Sequence, residues 1–148
     1  MKGFPDLPPL WLVLGLLLNW GLARALPGFD PGDLGRWVSW LLIGAGLALI
    51  GWAALWFWRR QTTIEPHHEA QALIVEGPFR LSRNPIYLAM VVILLGAVIG
   101  RGQPLSLILV IGLWWVLDRR FARPEEEGLR ASFGDEAARY IAATRRWI

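Results

Sequence analysis

Two short polar clusters carry the side chains that could do chemistry. The first is Gly77-Pro78-Phe79-Arg80-Leu81-Ser82-Arg83-Asn84-Pro85-Ile86-Tyr87, which runs straight into the apolar stretch Leu88 to Gly100. The second, Arg123-Pro124-Glu125-Glu126-Glu127, lies just past the next apolar stretch and its flanking charges Arg119-Arg120. Carboxylates can take an ammonium or a hydroxyl, guanidinium groups can orient a carboxylate, thiolate or phosphate, and aromatic rings can face a cation. This is chemistry of holding and aligning charged partners. Covalent and metal chemistry are poorly served. There is no cysteine, hence no disulfide, thiolate ligand or cysteine nucleophile. The adjacent His67 and His68 do not share a helix face and nothing completes a tetrahedral set, so no metal is expected. No Ser-His-Asp order, phosphate-binding glycine loop or dinucleotide fingerprint is present.

The elements that must position these clusters are apolar helices. Of the 148 residues 55% are hydrophobic and 18% charged, with ten tryptophans, which is too apolar for a soluble domain of this length. The pattern predicts an all-α integral membrane protein with about four transmembrane helices, including a helical hairpin, and a C-terminal amphipathic cytoplasmic helix. It divides a single membrane domain into two N-terminal helices (1–60) and a core (61–148). Pro8-Pro9 opens Leu10 to Leu26, just long enough to span at about 1.5 Å per residue, with Asn19 and Arg24 as its strongly polar residues. No small-residue cleavage site follows, so this helix is expected to be retained. Leu34 to Trp58 is the longest run, capped by Arg59-Arg60, and Gly44, Ala48 and Gly51 are its expected small-residue seam for close helix packing. The long polar connection 61–84 holds the Gly77-Pro78 turn and ends at Asn84-Pro85, read as N-cap and first helical residue. Arg101-Gly102-Gln103 then joins two apolar runs into an antiparallel hairpin. Past it, Leu129, Phe133, Ala137 and Ile141 recur at four-residue spacing among charges, an amphipathic helix that Gly134-Asp135 can break.

Four spans put both termini on one side. Lys2, Arg59, Arg60, Arg80, Arg83 and the seven arginines from Arg119 onward fall there, twelve of the fifteen basic residues, against Arg24, Arg36 and Arg101 opposite. The positive-inside rule makes the crowded side cytoplasmic. The expected setting is a bacterial inner membrane, with termini and active site in the cytoplasm and the lipid bilayer as the surrounding partner. Arginines gathered at helix ends give no nucleic-acid surface. Counted from Gly102, Pro85 is 17 residues back and Arg119 is 17 forward, so the two lie at similar depth. Asn84 and Tyr87 should therefore face Asp118 to Arg123, with Glu125 and Glu126 about one turn beyond.

Singly, each motif has an ordinary account as a helix cap, an interface aromatic or a dipole-favoured acid. The ordered set is more specific: Gly77-Pro78-Phe79-Arg80, Arg83-Asn84-Pro85-Ile86-Tyr87, a hairpin, Arg123-Pro124-Glu125-Glu126, Phe133-Gly134, then Tyr140 and Arg146-Trp147-Ile148. From about Gln71 onward this resembles the superfamily of isoprenylcysteine carboxyl methyltransferases and phospholipid methyltransferases, which are integral membrane enzymes. The resemblance implies S-adenosylmethionine as methyl donor. It implies donor contacts from Gln71, Leu73, Ile74, Gly77, Phe79, Asn84, Pro85, Tyr87, Glu125 and Glu126. Arg83, Arg119 and Arg123 would be catalytic, orienting the acceptor. Two positions depart from the pattern: Asn84 stands where a histidine is usual, which argues against a histidine base there, and Ala137 stands where a tyrosine is common. The acceptor expected is lipophilic or small, most like a prenylated cysteine carboxylate, with a phospholipid amine or a small thiol as the alternative. An NADPH-dependent membrane reductase and a non-enzymatic helical bundle are the readings from other classes, and cofactor binding separates the three.

Overall fold

The computed structural model describes residues 6–59 and 73–148, and among these every regular element is helical. The helices are α1 (Pro8–Ala25), α2 (Gly32–Arg59), α3 (Pro85–Arg101), α4 (Leu107–Leu117) and α5 (Arg123–Ala143). A 3-10 turn, Gly77–Arg80, precedes α3, and a second, Pro104–Ser106, leads into α4. One π-helical turn, Asp118–Ala122, carries α4 directly into α5. Such turns widen the backbone and re-aim side chains, and they occur often at functional sites.

The predicted hairpin is present. Gly102 ends α3 in the left-handed conformation (φ 61°), and its N–H bonds Ile99 O. A Cβ there would collide with the Phe29 carbonyl, so glycine also lets the α1–α2 loop lie against the hairpin tip. Phe29 N–H donates to Gly102 O at 2.9 Å, and Gln103 Nε2 donates to Pro27 O at 3.2 Å. At the opposite end, Arg120 pairs with Asp6 at 2.6 Å. α1 thus runs parallel to α3, with α2 and α4 returning the other way, and the helices rise and fall side by side.

α2 packs along α3, but not through the expected seam. Gly44, Ala48 and Gly51 are all exposed; the buried stripe is Ser39, Gly46 and Ala53. At about 100° per residue the three predicted positions lie roughly 140–200° round the helix from Gly46, on its far side. Gly46 instead sits against the Ala89 carbonyl and Ile93, where a Cβ would not fit. The outward face carries Leu34, Trp37, Trp40 and Leu41, each about 70% or more exposed, a surface suited to lipid rather than water. α2 alone among the described helices is long and apolar enough by itself to cross a membrane; α3 is a shorter apolar helix.

Two cores hold the site. Tyr87, Met90, Leu94, Val98, Leu113, Leu117 and Phe121 fill the hairpin. Ala53, Ile74, Phe79 and Tyr140 form the second, where α2, the 3-10 turn and α5 meet. α5 bends at Gly134 (φ 50°, ψ −123°), the predicted break. Of its predicted apolar stripe Ala137 is buried and Leu129, Phe133 and Ile141 are half-buried, so the stripe does face inward.

Candidate active site

The Gly-Pro turn is built around a tryptophan. Gly77 adopts φ 60°, and any Cβ there would fall inside the Trp56 indole of α2. The turn buries Pro78 and Phe79, with the Phe79 ring edge-on to Phe57 at 5.5 Å. Tyr140 of α5 closes the pocket, its hydroxyl donating to Phe79 O at 2.8 Å. Leu73 and Ile74 pack into this same core.

Asn84 occupies the N-cap position, but its side chain does not cap α3. The chain's C-terminal segment takes the amide instead. Asn84 Nδ2 and Ser82 Oγ both donate to Arg146 O, at 3.2 and 3.0 Å, and Arg83 N–H donates to Arg145 O at 3.0 Å. Ser82 Oγ also accepts the Asn84 N–H at 3.1 Å. Pro85, buried as the first residue of α3, has no N–H to be capped. Residues 144–147 are thus strapped beneath the start of α3.

The strap brings in an ion network. Glu126, only 7% exposed, accepts from Arg83 Nε and NH2 (3.1 and 2.8 Å) and from Arg146 Nε and NH2 (both 2.7 Å). Arg83 NH1 donates to the carbonyls of Ile141 and, at 2.6 Å, Thr144, satisfying the last turn of α5. Asp118 receives Arg123 at 2.7 Å, and Arg146 and Trp147 at 3.2 Å each. Burial works against charge on both acids, but the guanidinium hydrogen bonds outweigh it and hold both below the usual carboxylate range.

Glu125 lies outside this network. It accepts the hydroxyl of Tyr87, whose ring packs 6.1 Å from that of Phe121, and no cation among the described residues reaches it. Burial pushes its carboxyl up to about 7, against a smaller opposing pull from the Tyr87 hydroxyl. Adjacent acids therefore have opposite surroundings. Glu126 is saturated, and Glu125 lacks a counter-charge among the described residues.

The predicted meeting of the clusters across the hairpin is present in the Tyr87–Glu125 and Arg83–Glu126 contacts. The three arginines are dispersed. Arg83 is buried and fully committed, Arg123 is half-exposed on Asp118, and Arg119 is exposed with no ion pair among the described residues. Gln71 lies outside the described residues, as do His67 and His68. Sequence reasoning passed over Asp118, Arg146 and Trp147 as site-builders. One signal was available: an acid at the end of an apolar run, amid arginines, must find a partner as it is buried.

The profile of the phospholipid methyltransferase family matches residues 34–136, over two thirds of the chain. The match takes in α2 through most of α5, so it starts well before the stretch from Gln71 that carries the motifs. No curated protein matches the chain, and no solved structure does.

Proposed function

Because the chain belongs to the phospholipid methyltransferase family, we propose that it is a membrane enzyme that moves a methyl group from S-adenosylmethionine to the amine of a phospholipid. The observation that carries this reading is the buried Glu125–Tyr87 pair, a carboxylate with no counter-cation among the described residues, at the junction of the hairpin and α5. A cationic ligand supplies what that carboxylate lacks. Glu125 would hold the donor's ammonium end, which S-adenosylhomocysteine shares, with the Tyr87 hydroxyl fixing the carboxylate and the aromatic walls excluding water. When bound, the donor supplies an already activated methyl, displaced in line without a covalent enzyme intermediate.

The remaining residues align and neutralise. Glu126 locks Arg83 and Arg146, which in turn anchor the C-terminal strap under α3, so its part is to hold the site's floor. Arg83, Arg123 and Arg146 share Glu126 and Asp118, three cations on two acids, so their donors are engaged within the protein rather than held open for an acceptor carboxylate. Arg119, exposed at the end of α4, is suited to the phosphate of a phospholipid whose amine faces the methyl group. Neutral Asn84 can orient groups by hydrogen bonding but cannot act as a base. The polar end of the hairpin then sits at the cytoplasmic boundary, as the distribution of basic residues implies.

The test is calorimetric binding of S-adenosylhomocysteine by the purified protein, followed by transfer from radiolabelled donor to phosphatidylethanolamine or to a prenylated cysteine. Binding, with label in the amine lipid, is expected. No binding refutes the donor site, and label in the cysteine ester alone refutes the acceptor.

A further inference from the structure

A cleft lies at the other end of the molecule from the candidate site, between α1 and α3. It encloses about 500 Å³ and is lined by Val13, Leu16, Leu17, Asn19, Trp20, Ala97 and Arg101. Most of this lining is aliphatic, yet it contains one amide and one guanidinium. Asn19 is 2% exposed, and its side-chain oxygen is buried without a hydrogen-bond partner among the described residues. A buried amide in that state works against folding unless something else completes it. Arg101, the last residue of α3, is exposed and makes no ion pair among the described residues. A second cation stands close by: the Arg24 guanidinium lies 4.3 Å from the ring centroid of Trp20, which lines the cleft.

We propose that this cleft binds an anionic membrane phospholipid, distinct from any methyl acceptor. Arg101 takes the phosphate, with Arg24 adding to the positive field, and Val13, Leu16 and Leu17 hold the upper part of an acyl chain. Ala97 is one turn before Arg101, about 6 Å deeper along α3, and lines the same cleft as Asn19. That is roughly the step from a phospholipid's phosphate to its ester groups. With its amide turned about, the Asn19 carboxamide points its NH2 at an ester carbonyl. Charge and apolar lining together select a lipid over a free phosphate, which would leave the aliphatic wall uncovered. Arg101 lies 14 residues from Tyr87 along α3, about 21 Å, so this is a separate site.

The experiment uses the whole protein, delipidated in detergent and given phosphatidylglycerol or phosphatidylcholine, with retained lipid counted by native mass spectrometry. No donor is present, so the result is independent of whether methyl transfer is the right activity. Both lipids offer the phosphate, but choline's cation offsets it and is repelled by Arg101 and Arg24, so the wild type retains phosphatidylglycerol about tenfold better, the size of one charge-assisted contact. Arg101→Gln brings the two lipids close to parity. Asn19→Leu and Leu17→Trp, the first removing the amide and the second filling the cleft, lower retention of both lipids. Leu17 is 61% exposed, so its replacement leaves the core intact even if Asn19→Leu does not fold. Equal retention of the two lipids by the wild type overturns the proposal, as does an unchanged preference in Arg101→Gln. Wild-type retention in Leu17→Trp overturns it as well.

Discussion

Replacing each of the adjacent acids by glutamine should move stability in opposite directions. Glu125 has an ordinary value of 4.5 raised to about 7 by burial. Below pH 4.5 it is protonated in both folded and unfolded chains and contributes no pH dependence. Between 4.5 and about 7 the folded state holds a proton that the unfolded state has released, so stability falls as pH rises. The gap corresponds to up to about 3 kcal/mol, fully expressed above pH 7. Glu125→Gln removes that cost. At pH 8 the ligand-free variant should melt higher than wild type, by up to about 6–12 °C, and at pH 4 the two should melt together. The same change removes the counter-charge for a cationic ligand, worth about 1.5–3 kcal/mol, so S-adenosylhomocysteine should bind about tenfold or more weakly. Wild-type binding should strengthen as pH rises through 7, because the carboxylate must be ionised to hold a cation.

Glu126→Gln behaves otherwise. It strips the charge from four guanidinium contacts and leaves Arg83, whose side chain is 9% exposed, as a buried cation without a counter-ion. Breaking a buried pair in this way costs about 3–5 kcal/mol. Glutamine keeps one acceptor, so a loss near the lower figure is expected, read as a fall in melting temperature at both pH 7 and pH 8. Thermal unfolding in one detergent, with calorimetry on the same samples, gives all four quantities. If Glu125→Gln destabilises the protein at pH 8, or binds S-adenosylhomocysteine as wild type does, the division of labour between the two acids is wrong.

Three further outcomes follow from the same geometry. Tyr87→Phe removes the only hydrogen bond to Glu125 among the described residues, so the carboxyl shifts further up and the pH at which ligand binding is half-maximal rises with it, measurable by calorimetry across pH. Gly77→Ala combines a left-handed φ with a collision against Trp56 and should cost at least about 2 kcal/mol, part of it recovered when Trp56 is also made alanine; equal melting of Gly77→Ala and wild type counts against the turn as drawn. For topology, a cysteine at Asp135 should resist an impermeant thiol reagent in intact cells while one at Leu105 reacts. Gln103, at the hairpin tip itself, is 3% exposed and would report nothing.

The sequence was most informative where local chemistry decides the outcome. Gly102 with short flanking runs can only be a hairpin, and counting outward from it brings Tyr87 opposite the start of α5. Gly134 marked the bend for the same local reason. What stayed hidden depended on chain segments far apart. Nothing near Asn84 reveals that its amide goes to Arg146, 62 residues on, and without that partner the natural reading is a side-chain cap. The α2 seam failed differently. Small residues lie on two faces of that helix, and which face meets α3 is set by the partner's bulk, Ile93 against Gly46, that the α2 sequence does not contain.

The paired acids are the case where more could have been read. Successive residues on a helix point about 100° apart, so Glu125 and Glu126 cannot address one ligand with equivalent geometry. One of them had to face the α3 helix and its tyrosine, the other the arginine two residues before that helix starts. Arg83 and Tyr87 are four apart, on neighbouring levels of the α3 start, and α5 meets them with two acids one residue apart. A buried arginine demands a full counter-charge, whereas a tyrosine hydroxyl gives only one hydrogen bond. The unequal partners thus leave Glu126 satisfied and Glu125 in need of a cation, and the pattern Arg-Asn-Pro-x-Tyr opposite Glu-Glu already contains that asymmetry.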